Sequence, residues 1–120
     1  MNDPARFAVR FEFYDTSRVC VVVLFGSLDP VAVEQLHPRI QRLVQTGYRR
    51  FVFDLSAVDH IGSLDLRLFV GLAQQLRAEG GLALCGPSEA VRAVADITRL
   101  EHIVPILSSR PDAFRVVAGS

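Results

Sequence analysis

Phe51-Val52-Phe53-Asp54-Leu55-Ser56-Ala57-Val58-Asp59-His60-Ile61-Gly62-Ser63-Leu64-Asp65 is the stretch from which the fold is read outward. Phe51 to Leu55 is a short aromatic and β-branched run that suits a pleated, buried surface, so it is expected to be a strand. Ala57 to Gly62 is polar and irregular and reads as a loop. From Ser63 or Leu64 to Glu79, the residues Leu68, Phe69, Leu72, Ala73 and Leu76 fall on one helical stripe. Arg67, Gln74, Gln75, Arg77 and Glu79 lie mostly off that stripe, and Gly80-Gly81 is placed to close the helix. Ser63 is the expected cap of this helix, since its hydroxyl can accept from amides that no carbonyl reaches.

Upstream, Phe7, Val9, Phe11 and Phe13 alternate with Ala8, Arg10, Glu12 and Tyr14, the period of a half-exposed strand. The turn Asp15-Thr16-Ser17-Arg18 leads into the continuous apolar run Val19 to Phe25, a strand buried on both faces, so the chain opens with a hairpin. After Gly26-Ser27-Leu28, Asp29 can cap a helix and Pro30 fits its first position. Val33, Leu36, Ile40, Leu43 and Val44 recur at helical spacing up to Gly47, with Pro38 predicting a kink or interruption.

Downstream, Leu82 to Cys85 reads as a fourth strand and Gly86-Pro87-Ser88 as a turn and cap. Val91, Val94, Ala95, Thr98 and Leu100 mark a third helix. Val104 to Leu107 reads as an edge strand because of Pro105, and Pro111 to Val117 as a short terminal helix. Strands alternating with helices imply parallel β-α-β units. The expected fold is therefore α/β, with a mixed, mostly parallel sheet of about five strands and about four helices in one domain spanning 1–120.

Composition removes several functions. Thirteen acids balance thirteen bases and neither forms a block, which leaves no electrostatic footprint for nucleic acid or an anionic membrane. Every base is an arginine, so no lysine is present to act as a phosphate-loop residue, Schiff base or nucleophile. The longest apolar run, Val19 to Phe25, is far too short for a membrane-spanning helix. Met1 to Arg6 carries an acid and a proline without the anatomy of a signal peptide, so a cytoplasmic location is expected. Cys20 and Cys85 lie inside strand-like runs, where a thiol behaves as a small buried hydrophobe.

Function in such a fold gathers after the carboxyl ends of the strands, here Gly26 to Asp29, Ser56 to Ser63 and Gly86 to Ser88. A hydrolase reading casts Ser63 as nucleophile, His60 as base and an aspartate as orienter. The spacing argues against it, because Gly62-Ser63-Leu64-Asp65-Leu66 lacks the second glycine of a nucleophile elbow. His37, His60 and His102 are scattered without ligand spacing, so no metal is expected. Gly80-Gly81 follows a helix rather than opening one, and no cofactor is indicated.

Gly26-Ser27-Leu28-Asp29 and Asp54-Leu55-Ser56-Ala57-Val58-Asp59-His60-Ile61, at this separation and followed by a helix, Gly80-Gly81, a strand and Gly86-Pro87-Ser88, together resemble the STAS domain family. The first piece is similar to that family's Gly-Glu-Leu-Asp turn and the second to its Asp-Leu-Ser-x-Val-x-x-Ile stretch, with Ile97-Thr98-Arg99-Leu100 similar to the end of its third helix. The resemblance implies a non-enzymatic protein-protein interaction module like an anti-sigma factor antagonist, with an anti-sigma factor or serine kinase as partner. An accessory subunit of a lipid-transport ATPase complex is the alternative. It also implies a partner-binding surface of Asp29, Gly62, Ser63, Leu64 and Asp65. Phosphorylated antagonists read Asp-Ser-Ser-Gly after the isoleucine, where this chain has Gly62-Ser63-Leu64-Asp65. Leu64 thus stands at the phosphoacceptor position, with Ser63 one residue out of register as the substitute.

Overall fold

Side chains that point alternately up and down from a strand must find cover on both faces when nearly all of them are apolar. The second strand meets that demand in the computed structural model, which describes residues 7–77 and 81–119. Five strands, β1 (Ala8–Tyr14), β2 (Val19–Leu28), β3 (Arg50–Ile61), β4 (Gly81–Cys85) and β5 (Ile106–Leu107), lie side by side in chain order. β1 pairs antiparallel with β2, and every later pair is parallel. The crossovers are α1 (Pro30–Gln45), α2 (Arg67–Leu76) and α3 (Glu89–Thr98), and α4 (Arg110–Ala118) ends the chain. Right-handed crossovers between strands laid down in one direction put all three connecting helices on the same face.

The main core lies under those helices, with Leu24, Leu36, Ile40, Phe53, Phe69 and Leu84 all buried in it. Phe53 of β3 meets Phe69 of α2 edge to face, ring centres 5.1 Å apart. On the opposite face α4 covers Val21, Val23, Val52 and Cys85 with Ala113 and Val117, the only helix on that face among the described residues. Cys20 belongs to the first core and Cys85 to the second, and both are free buried thiols.

The mixed sheet, the hairpin and the four helices match expectation, and three boundaries differ. Pro38 does not interrupt α1, which runs from Pro30 to Gln45. Pro38 is exposed, so the Glu34 carbonyl it leaves without an amide partner faces the solvent side of the helix, where water can hydrate it. Ala57 to Ile61 is strand rather than loop, because β2 continues past Phe25 to Leu28 and pairs with it. The register slips between Val23 and Phe25 and again between Gly26 and Ser27, and these bulges erase the alternation that would mark a strand. Finally, β5 contains only Ile106 and Leu107. Pro105 cannot donate, and its carbonyl accepts from Leu84 N at 2.9 Å as the strand begins. The expected helix end at Glu79 and cap at Gly80 lie outside the described residues; Gly81 is the first residue of β4.

Candidate partner-binding site

β2 and β3 finish level with each other, Leu28 opposite Ile61, and Gly62 N donates to the Leu28 carbonyl at 3.4 Å. Asp29 and Gly62 therefore leave the sheet as neighbours at one pole. Asp29 has extended backbone and its carboxylate accepts from Ala32 N at 2.9 Å, the capping role expected of it, with Pro30 filling the first helical position.

After Gly62 the chain makes a 3₁₀ turn, Ser63–Leu66, before α2 begins at Arg67. Ser63 does not cap this helix. The residue before the turn is Gly62, Asp65 N closes the turn on the Gly62 carbonyl at 3.0 Å, and no side chain caps it. Ser63 already lies inside the tight turn and its side chain is exposed, so its hydroxyl is not aimed back at the free amides.

Gly62 has an ordinary extended backbone, and what it supplies is space: a Cβ there would collide with Oδ2 of Asp65. The Asp65 carboxyl is folded back over Gly62, where desolvation and the nearby charge of Asp29 raise its pKa above the usual carboxylate range. The Gly62 amide and His60 oppose that rise. Two exposed aliphatic side chains flank the paired carboxylates, Leu64 at 69% exposure and Val31, in the first turn of α1, at 63%. α3, which starts after the carboxyl end of β4, packs against the 3₁₀ turn. All five expected partner-binding residues thus come to one pole. Val31 joins them there, and in the sequence it is hidden inside helical periodicity.

The catalytic reading finds no geometry. Among the described residues no hydrogen bond joins His60 to Ser63, and both are exposed. Asp54 is engaged elsewhere: its Oδ1 accepts from Ser56 N at 3.0 Å and Ser56 Oγ at 2.7 Å, and its Oδ2 from Arg110 of α4. Gly86, with positive φ, passes close to this pair, a Cβ there lying 3.3 Å from Ser56 Cβ. Nothing in the sequence pairs Arg110 with Asp54, since 56 positions separate them. Among the described residues no group of three or more His, Cys, Asp or Glu is placed to hold a metal ion, and no helix is long and apolar enough to cross a membrane.

Known proteins share this fold. The STAS domain family matches residues 10–113. BtrV of Bordetella bronchiseptica, named as a candidate anti-sigma factor antagonist, is 36% identical over 94 residues, which is 78% of this chain and 81% of that protein. The crystal structure of an anti-sigma factor antagonist from Mycobacterium paratuberculosis superposes with a TM-score of 0.85 at 27% identity, covering 98% of both chains. The anti-sigma factor antagonist SpoIIAA in its unphosphorylated form gives 0.76 at 27% identity, over 91% of this chain and 96% of that one. With the family match spanning most of the sequence, and the fold in agreement, the chain belongs to the STAS domain family.

Proposed function

We propose that this domain is a non-enzymatic docking module of the anti-sigma factor antagonist kind, bound by an anti-sigma factor or serine kinase at the pole of Asp29, Gly62, Ser63, Leu64 and Asp65. Phosphate does not control it at the usual position. The observation that carries this reading is Leu64, an aliphatic side chain held 69% exposed beside two carboxylates. An alkyl group has no oxygen to accept a phosphoryl group. Exposed at the tip of a turn, it suits insertion into an apolar pocket of a partner, while Asp29 and Asp65 favour basic residues at that pocket's rim.

In the phosphorylated cycle, a phosphate at this turn adds close to two negative charges and repels the partner. Here the surface stays permanently in its binding form. The test is calorimetric titration with kinase-type anti-sigma factors of the source cell, with intact-mass measurement after incubation with ATP. Binding without a gain of mass, weakened at least about tenfold by Leu64→Asp, is the expected result. Absence of binding to every such factor, or a stoichiometric phosphate on Ser63, overturns it.

A further inference from the structure

The pole opposite the docking surface carries a second concentration of polar chemistry. Arg18, at the end of the β1–β2 turn, and Gly47, Arg49 and Arg50, at the entry to β3, line an open depression of about 220 Å³. It lies at the far end of β2 from Asp29, roughly 30 Å away for a ten-residue strand. Net charge is zero over the whole chain, yet among the described residues only cations and a glycine line this depression. Neither Arg18 nor Arg50 forms an ion pair among the described residues.

Arg18 and Arg50 are held in place by contacts that leave donors over. The Arg18 guanidinium lies 4.5 Å from the centre of the Tyr48 ring, which also packs against Phe13. This contact fixes the side chain without using its N–H groups, and Arg18 donates no hydrogen bond among the described residues. Arg50 gives one long bond, 3.5 Å, to the Ser17 carbonyl. Arg49 donates to the carbonyls of Val44 and Tyr48, so it forms a wall of the depression and secures the end of α1. Gly47 has φ +110°, and a Cβ there would lie 2.9 Å from Nη2 of Arg18, so glycine is what lets the guanidinium settle against the backbone.

We infer that Arg18 and Arg50, braced by Tyr48 and Gly47, form a binding site for a phosphate group, carried either as the free ion or as the terminal phosphate of a nucleotide. Guanidinium groups present planar, charged donor pairs that fit tetrahedral oxyanions, and two pre-oriented ones lose little freedom on binding. The depression is open to solvent, so a phosphate seated against the guanidinium groups leaves the rest of a larger ligand outside it. Occupancy would leave the docking pole free.

The test is amide chemical-shift titration of the full chain with inorganic phosphate, at ionic strength held constant with sodium chloride, with parallel arms using AMP and ADP. Saturable shifts at Ser17, Arg18, Gly47 and Arg50 are expected, with affinity reduced at least about fivefold in Arg18→Gln and in Arg50→Gln and unchanged in Arg115→Gln. Midpoints equal in all arms mark the free ion as sufficient, and tighter binding of AMP or ADP marks the nucleotide; either supports the site. Arg18 stands exposed in a turn, so Arg18→Gln decides the matter even if Arg50→Gln fails to fold. Non-saturating shifts, shifts shared equally by Arg92 and Arg115, or affinity unaffected in Arg18→Gln overturn the inference.

Discussion

Arg110 donates twice to one oxygen of Asp54, from Nε at 3.2 Å and from Nη2 at 2.7 Å, while its Nη1 reaches Glu12 at 2.9 Å. The first residue of α4 is thereby tied to β3 and β1, on the face of the sheet that α4 covers. Asp54 is only 8% exposed, so removing its cation strands a desolvated carboxylate. Arg110→Ala is expected to lower unfolding free energy by about 2 kcal/mol, measured by urea denaturation at neutral pH. Burial by itself raises the Asp54 pKa, but the Ser56 amide, the Arg110 guanidinium and the Ser56 hydroxyl outweigh it and hold the group below its ordinary value. The stabilisation is therefore complete above the unfolded pKa of about 3.9 and is lost as pH falls through the lower folded value. The advantage of the wild type over Asp54→Asn should shrink only below about pH 4. An advantage that already declines between pH 7 and pH 5 contradicts this assignment.

Helix capping separates Ser63 from residues of similar type. Asp29, Ser88 and Ser109 each accept from a backbone amide at the start of α1, α3 and α4, at 2.9, 3.3 and 3.3 Å. Alanine at any of these three should cost about 1 kcal/mol. Ser63→Ala, which removes no cap, should stay within about 0.5 kcal/mol of wild type in the same thermal or urea assay. A loss at Ser63 as large as that at Ser88 would falsify the placement of Gly62 as the residue before the turn.

The thiols provide a test of the two cores. Burial pushes Cys20 up to about 12, and burial together with the charge of Asp54 pushes Cys85 up to about 11. Both are protonated in the native protein at pH 8, and both are screened by the sheet and its helices. Labelling by an aromatic disulfide reagent should run at least about a hundredfold slower in buffer than in urea. Rapid native reaction of Cys20 would mean that β2 is not the buried strand described here.

Elements whose apolar residues recur at one period were legible: the alternation of β1, the run of β2, and the stripes of α1, α2 and α3. What stayed hidden has local causes. The bulges opposite Phe25 and Ser27 break the period of β3, so its second half reads as polar loop. Pro38 is tolerated because it faces solvent, and no sequence pattern states which way it points. The pole of Asp29, Gly62 and Asp65 could be anticipated from strand ends, whereas Val31 is an exposed member of a helix whose other face is buried. Arg18 and Arg50, 32 positions apart, meet only because β2 and β3 are parallel neighbours.

Gly62 and Asp65 should behave as a coupled pair. Gly62 has φ −82° and ψ 145°, which any residue adopts, so the backbone does not require glycine; the Asp65 carboxyl occupies the room a side chain would take. Adding a side chain at Gly62 forces that carboxyl out of its partly buried position, whereas removing it at Asp65 first makes the addition harmless. Gly62→Ala is expected to cost about 1 kcal/mol in the wild-type background and close to nothing in Asp65→Gly, a coupling readable from a double-mutant cycle. The same relation governs any attempt to build a phosphorylatable turn. Leu64→Ser alone adds the hydroxyl, and Gly62→Asp alone places two carboxylates in one space beside Asp29. Only Gly62→Asp, Leu64→Ser and Asp65→Gly together should fold with wild-type stability and gain one phosphate from a kinase-type anti-sigma factor supplied with ATP. Additive effects in the cycle would show that Asp65 moves aside freely, and the turn would then accept the substitutions in any order.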